Sequence, residues 1–219
     1  MIITINKQIT DIIPTFNIIA MTMDVEVEDS KKISELITIY EEKIKGEYSL
    51  ENVLNIPLIK EARDGYKKMG KDPSRYRLAC ESLLRRLVKG NHLYQINNVV
   101  DAGNILSIET KRAVAVLDYE KIKGNVMVRV GKDSDEYYGI GRGLLNISNI
   151  PIYEDEIGPF GSTTSDTKRT MVTNNTKKIL LMIICFGTSM YEENKKFAID
   201  IYQKYAQAKN IEDIKITRK

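Results

Sequence analysis

The run Gly158-Pro159-Phe160-Gly161-Ser162-Thr163-Thr164-Ser165-Asp166-Thr167-Lys168-Arg169-Thr170 gathers hydroxyls, a carboxylate and two cations into one short segment. Glycines on either side of a Pro-Phe pair require a tight backbone path. Backbone N–H groups, hydroxyls and cations this close together suit a phosphate or a carboxylate. The same composition also describes a connecting loop whose side chains satisfy its own backbone. Cations recur in clusters elsewhere: Arg85, Arg86 and Lys89; Lys111 and Arg112; Lys168 and Arg169; Lys177 and Lys178. Gathered on one face, they would make a phosphate-binding surface. Glu81 stands four residues before Arg85, so the ordinary alternative is a solvated helix face with an internal ion pair. The candidate ligand-binding residues here are Ser162, Thr163, Thr164, Ser165, Asp166 and Arg169, and the candidate nucleic-acid contacts are Arg85, Arg86, Lys111, Arg112 and Lys168.

Other chemistry is missing. The chain has one histidine, His92, so the usual His/Cys zinc spacings cannot occur and any catalytic triad would rest on that residue. Cys80 and Cys185 sit in apolar stretches that raise a thiol pKa, which predicts reduced core cysteines rather than a nucleophile or a disulfide. Gly139-Ile140-Gly141-Arg142-Gly143 lacks the spacing and the following helix of a phosphate loop and reads as a turn. Glu154-Asp155-Glu156 lacks the spaced ligands of a calcium loop and reads as a solvated turn. The expectation is no metal, no cofactor and no identified catalytic side chain.

Several elements must position these groups. Strands are expected at Ile2–Ile5 and Phe16–Val27. A helix capped by Asp29 or Ser30 carries Ile33, Leu36, Ile37, Tyr40 and Ile44 on one face and closes at Gly46. A second runs from Pro57 to Met69, and a third starts at Asp72-Pro73 and stops at Gly90. Short β segments follow at Val99–Asp101, Ile105–Ile108, Ala113–Leu117, Val126–Val130 and Tyr137–Ile140. Ile179–Phe186 reads as a strand buried on both faces. Tyr191–Ala208 reads as a helix and Ile211–Ile216 as a last strand. The fold class is α+β. Hydrophobic residues make up 42% and charged residues 29%, an ordinary globular balance, and the net charge of +3 permits nucleic acid without requiring it. The start Met1-Ile2-Ile3-Thr4-Ile5 has no signal-peptide pattern, and no apolar run is long enough for a bilayer, which predicts a cytoplasmic protein without a membrane partner.

Ile96-Asn97-Asn98-Val99-Val100-Asp101-Ala102-Gly103-Asn104 resembles the opening of the editing module of the bacterial phenylalanyl-tRNA synthetase beta subunit, its fused third and fourth (B3/B4) domains. Leu117–Gly124, the strand Val126–Val130, the turn Gly158–Gly161, and Val172–Thr176 followed by Ile179-Leu180-Leu181 continue the resemblance in the same order. It spans roughly Asp72 to Phe186. Glu81–Leu87 and Thr163–Asp166 look like the shorter, free-standing proteins that share the module. The chain is read as a single domain over 1–219: strands and helices in 1–71, the module-like core in 72–186, and a closing helix and strand in 187–219. The resemblance implies a β-sandwich-like core of unusual topology covered by helices. The implied pocket lies between the Asn104 segment, the strand Ala113–Asp118 and the loop Ser162–Arg169.

In the synthetase the module hydrolyses tyrosine wrongly attached to the phenylalanine tRNA. Its pocket asparagine matches Asn104, its histidine falls at Ala115, and its glutamate falls near Lys168 or Arg169. A cation where a carboxylate recognised a phenol favours a different, anionic ligand. Arg169 is then the anion partner, Ser162 to Asp166 line or brace the pocket, and Asp118 braces a turn or serves the site. Three functions fit: a trans-acting hydrolase of mischarged aminoacyl-tRNA; a non-catalytic module for tRNA or an amino-acid-like or anionic ligand; or a protein-interaction domain. No module that charges tRNA is matched, and no DNA partner is expected.

Overall fold

In the computed structural model, which describes residues 1–219, the apolar residues Ile179 to Cys185 form the strand Lys178–Cys185, which has neighbours on both sides. In chain order the strands are β1 (Ile2–Ile5), β2 (Asn17–Asp24), β3 (Ala113–Asp118), β4 (Val126–Val130), β5 (Tyr138–Gly139), β6 (Gly143–Leu144), β7 (Pro151–Glu154), β8 (Pro159–Ser162), β9 (Lys178–Cys185), β10 (Lys209–Asp213) and β11 (Lys215–Arg218). The α-helices are α1 (Lys7–Ile12), α2 (Ser34–Glu47), α3 (Pro57–Lys68), α4 (Ala79–Val88), α5 (Asn98–Thr110) and α6 (Tyr191–Ala206).

One sheet has the order β10-β2-β9-β3, with β9 antiparallel to both β2 and β3. The second has the order β11-β1-β4-β7-β8, in which β1 runs parallel to both of its neighbours. The two ends of the chain thus meet, with Ile3 opposite Ile216. One cluster of 58 buried apolar residues joins both sheets to all six helices, through residues such as Ile9, Ile37, Ile59, Leu84, Val99 and Ala198. The fold is α+β.

Five sequence expectations change. Val99–Asp101 and Ile105–Ile108 are not strands; both lie within α5. Asn97 caps that helix by accepting from the Val100 N–H, and Val99, Ala102, Ile105, Leu106 and Ile108 are all buried. A helix enclosed nearly all round loses the one-sided periodicity that marks a surface helix, so its apolar runs mimic short strands. The third helix begins at Ala79 rather than Asp72; residues 72–78 form turns instead, with the Asp72 carboxylate accepting from the Ser74 N–H. Ile211–Ile216 divides at Ile214, whose N–H is held by the Ala20 carbonyl, so β10 and β11 enter different sheets. Asp155 does not belong to a solvated turn: its side chain is fully enclosed. The helix α1, capped by Asn6, and the strand β7 had no expectation, and β8 (Pro159–Ser162) occupies most of the segment expected as the turn Gly158–Gly161.

Candidate functional site

Along α5, Val100, Gly103 and Asn104 fall at helical spacings that share one face. That face looks toward Val114 and Val116 of β3, an edge strand, and together they wall a cavity of about 220 Å³. Ile96, Ile140, Asp166, Met171 and Val172 complete it. Gly103 sets the spacing of helix and strand: a Cβ there would lie 2.4 Å from Val116 Cγ2. The segment opposite is tied in place by a bridge from Leu117 to Met171 and by a second from Gly139 to Thr167. The walls are apolar, and Asn104 and Asp166 supply the polar groups. The volume is below the roughly 300–1,000 Å³ of drug-sized sites and suits a group the size of one amino acid.

The two polar groups are less committed than their neighbours: Asn104 has no partner, and Asp166 has only a backbone one. On α5, Asn97 caps Val100, Asn98 holds Glu28, Glu26 and Tyr205, and Ser107 donates to the Arg112 carbonyl. Asp101 accepts from Ser30 Oγ and from the Ile96 N–H. Most of the polar residues in the Ile96–Asn104 motif therefore hold the fold, while Asn104 turns its carboxamide to the cavity without a partner in the chain. Burial pushes the Asp166 carboxyl up to about 7, opposed only by a backbone hydrogen bond from Ser162. No cation offsets that burial.

The remaining candidate residues separate into distinct roles. Ser162 Oγ donates to the Ser165 carbonyl at 2.8 Å and accepts from the N–H groups of Thr164 and Ser165. The Thr163 and Thr164 hydroxyls meet the Tyr66 hydroxyl, and Tyr137 donates to the Ser165 carbonyl. This run braces the loop from beneath rather than lining the cavity.

Arg169 does not face a ligand site with a free fork. Its Nη1 and Nη2 each lie 2.9 Å from an Asp155 carboxylate oxygen, and it also donates to the carbonyls of Lys121 and Gly158. Burial opposes charge on Asp155, but the Arg169 fork and the N–H groups of Lys123 and Ile157 outweigh it and hold the carboxyl below the usual range. Asp118 is likewise structural, accepting from Thr176 Oγ1 at 2.7 Å and from the Glu120 N–H.

Among the cations, Arg112 is buried and donates to the Ser189 carbonyl, and Lys111 caps the end of α5 by donating to the Ile108 carbonyl at 2.7 Å. Lys168 is exposed in a depression of about 500 Å³ that also includes Tyr138 and Thr167. Arg85 and Arg86 lie on a separate surface. The resemblance named the strand Ala113–Asp118 as a pocket wall, and Val114 and Val116 are the side chains of that strand that face the cavity; Ile96, Val100, Ile140, Met171 and Val172 had not been singled out as lining residues. Ala115, the position that the resemblance matches to a histidine, is buried against the core, whereas its neighbours Val114 and Val116 line the cavity. His92, the single histidine, is exposed and bonded to Glu41 at 2.7 Å, so no imidazole serves the cavity. No helix is long and apolar enough to cross a membrane.

A family model described as the B3/4 domain matches residues 61–216. The chain is 27% identical over 106 residues to the phenylalanine–tRNA ligase beta subunit of Fusobacterium nucleatum subsp. nucleatum, a match covering 47% of this chain and 13% of that protein. It superposes over its whole length on 52% of a solved N-terminal fragment of the phenylalanyl-tRNA synthetase beta subunit from Pyrococcus horikoshii, with a TM-score of 0.56 and 12% identity. This second likeness concerns the fold.

Proposed function

Because the chain belongs to the B3/4 domain family, we propose that its cavity receives the aminoacyl group of an aminoacyl-tRNA and that the protein hydrolyses the ester in trans. The observation that carries this reading is an apolar, amino-acid-sized cavity lined by two polar groups, Asn104 without a partner in the chain and Asp166 held only by the Ser162 backbone. The apolar walls take the side chain, and the Asn104 carboxamide donates to the ester carbonyl. Water attacks the carbonyl carbon, the bond to the terminal ribose oxygen breaks, and the proton lost by water passes through the Asp166 carboxylate to that ribose oxygen. A carboxyl titrating near neutrality is suited to accept and return a proton. An aminoacyl ester is already activated, so positioning together with one base suffices without a histidine. A substrate of this kind is met in the cytoplasm.

A second reading is a non-catalytic module that holds an amino-acid-like ligand, favoured by the absence of an imidazole at the cavity. A screen of correctly and wrongly charged tRNAs, with ester loss followed against buffer, separates the two. Selective loss of one species supports hydrolysis and names the amino acid. No loss across the panel, with a free amino acid or its ester analogue still bound and protecting the cavity residues, establishes the binding module.

A further inference from the structure

Ser82, Arg85, Arg86 and Lys89 recur at helical spacings of three and four, so one face of α4 and its end carry three cations and no carboxylate. Arg75 and Arg77 reach the same surface from the turn before the helix, and Arg142 reaches it from the tip of the β5–β6 hairpin. The result is a groove of about 370 Å³ lined by six cations, without one acidic or apolar residue.

Structural explanations cover only part of it. The helix dipole favours cations in the last turn of α4, which accounts for Arg85 and Arg86 but not for Arg75, Arg77 or Arg142. Glu81, the acid expected to pair with Arg85, is fully buried and faces Arg63 at 2.9 Å instead. Arg77 alone among the groove cations comes near it, at 3.8 Å. Arg86 donates to the His92 carbonyl and lies 3.9 Å from the centroid of the exposed Tyr94 ring. Arg75, Arg85, Lys89 and Arg142 have no ion-pair partner, and Arg85 and Lys89 repel one another at four residues' spacing on the helix. An uncompensated run of like charge calls for an anion with several negative groups along its length.

The groove and the cavity flank one hairpin. Ile140 lines the cavity and Arg142 lines the groove, two residues and at most about 7 Å of backbone apart. The hairpin is held at the cavity by the Ile140 N–H donating to the Asp166 carbonyl at 2.9 Å. We propose that this groove seats the single-stranded 3′ end of an RNA, its cations holding successive phosphodiesters and Tyr94 offering a face to a base, while the terminal aminoacyl group enters the cavity. Aromatic faces beside a cationic track are how single strands are held without sequence readout. The groove assignment rests on its own charge and shape; only the entry of the aminoacyl group rests on the cavity reading above.

The test is fluorescence anisotropy with a labelled single-stranded RNA across a salt series, using the full chain. The double variant Arg85→Ala/Lys89→Ala and the hairpin variant Arg142→Ala are compared with Lys209→Ala/Lys215→Ala, which removes the same charge as the double variant from outside the groove. The double variant should bind at least about 20-fold more weakly at low salt, and its log–log salt slope should fall by about 0.7 for each phosphate it no longer neutralises. Arg142→Ala should weaken binding about fivefold, and the outside variant should match wild type. Equal losses in groove and outside variants overturn the groove, as does tighter, groove-dependent binding of a fully double-stranded RNA. Hydrolysis of a minimal substrate, an aminoacyl ester of adenosine without a phosphate backbone, keeps the two readings apart. If wild type and groove variants cleave it alike while only wild type binds RNA, both stand. If no variant cleaves it but RNA binding still depends on the groove, the cavity reading fails and the groove stands.

Discussion

Replacing Asp166 by asparagine keeps the shape of the side chain and removes its titration. In the fold this carboxyl is pushed from 3.8 up to about 7 by burial, with no cation to offset the cost. An acid whose folded value is raised binds its proton more tightly in the native state. Its contribution to stability is therefore complete below about pH 4 and is lost as pH rises toward 7. A difference of about three pH units at roughly 1.4 kcal/mol each sets a ceiling of about 4 kcal/mol. Asp166 is partly open to solvent, and screening lowers the expected penalty to about 1–3 kcal/mol. Asp166→Asn should match wild type at pH 4 in urea unfolding and exceed it by that amount at pH 8. Comparing the two proteins cancels the other shifted carboxyls, such as Asp101, raised by burial, and Asp155, held low by Arg169. Deacylation, if present, should fall by about 100-fold or more, as loss of a general base requires, with an unreactive analogue still bound. Parallel stability profiles, or a directly measured Asp166 titration below pH 5, would refute the reasoning and remove the proposed base.

Arg169→Ala should act on stability rather than on affinity. It strips the fork from an enclosed Asp155, and we expect a loss of about 2–3 kcal/mol, less than a fully buried pair because Arg169 keeps some solvent access. For a chain of this size that lowers Tm by about 5–10 °C; an unchanged Tm with weakened ligand binding would restore Arg169 to the site. The clasp should fail in acid, since a lowered carboxyl contributes above the ordinary aspartate range and loses its effect as pH falls through its folded value. Asn104→Ala should leave stability within about 0.5 kcal/mol, because its carboxamide holds nothing in the fold. It should weaken an amino-acid ester by roughly five- to tenfold, the worth of one hydrogen bond. Calorimetry of the ester against both proteins checks this, and a large loss of stability would make Asn104 one more structural asparagine.

The sequence carried those features that depend on local pattern. The unbroken apolar run of β9 announced a buried central strand, Pro57 and the spacing of Ile59, Ala62 and Tyr66 announced α3, and the Ile96–Asn104 motif pointed to the family. Asn104 was legible as a candidate site residue through the family resemblance, and Asp166 through the composition of its loop. The resemblance implied that their two segments border one pocket; local pattern alone could not, because they lie on different elements and meet only when α5 packs against β3 with no Cβ at Gly103. The pairing of Arg169 with Asp155 was equally hidden, since fourteen residues and a strand, β8, separate a cation from the acid that neutralises it. The same holds for the groove: helical spacing placed Arg85, Arg86 and Lys89 on one face, but Arg142 joins them from a hairpin more than fifty residues away. A sequence specifies which charges exist and how they repeat along an element. Which of them are neutralised and which remain free for a ligand depends on contacts between distant elements, and those form only when a shared core brings the elements together.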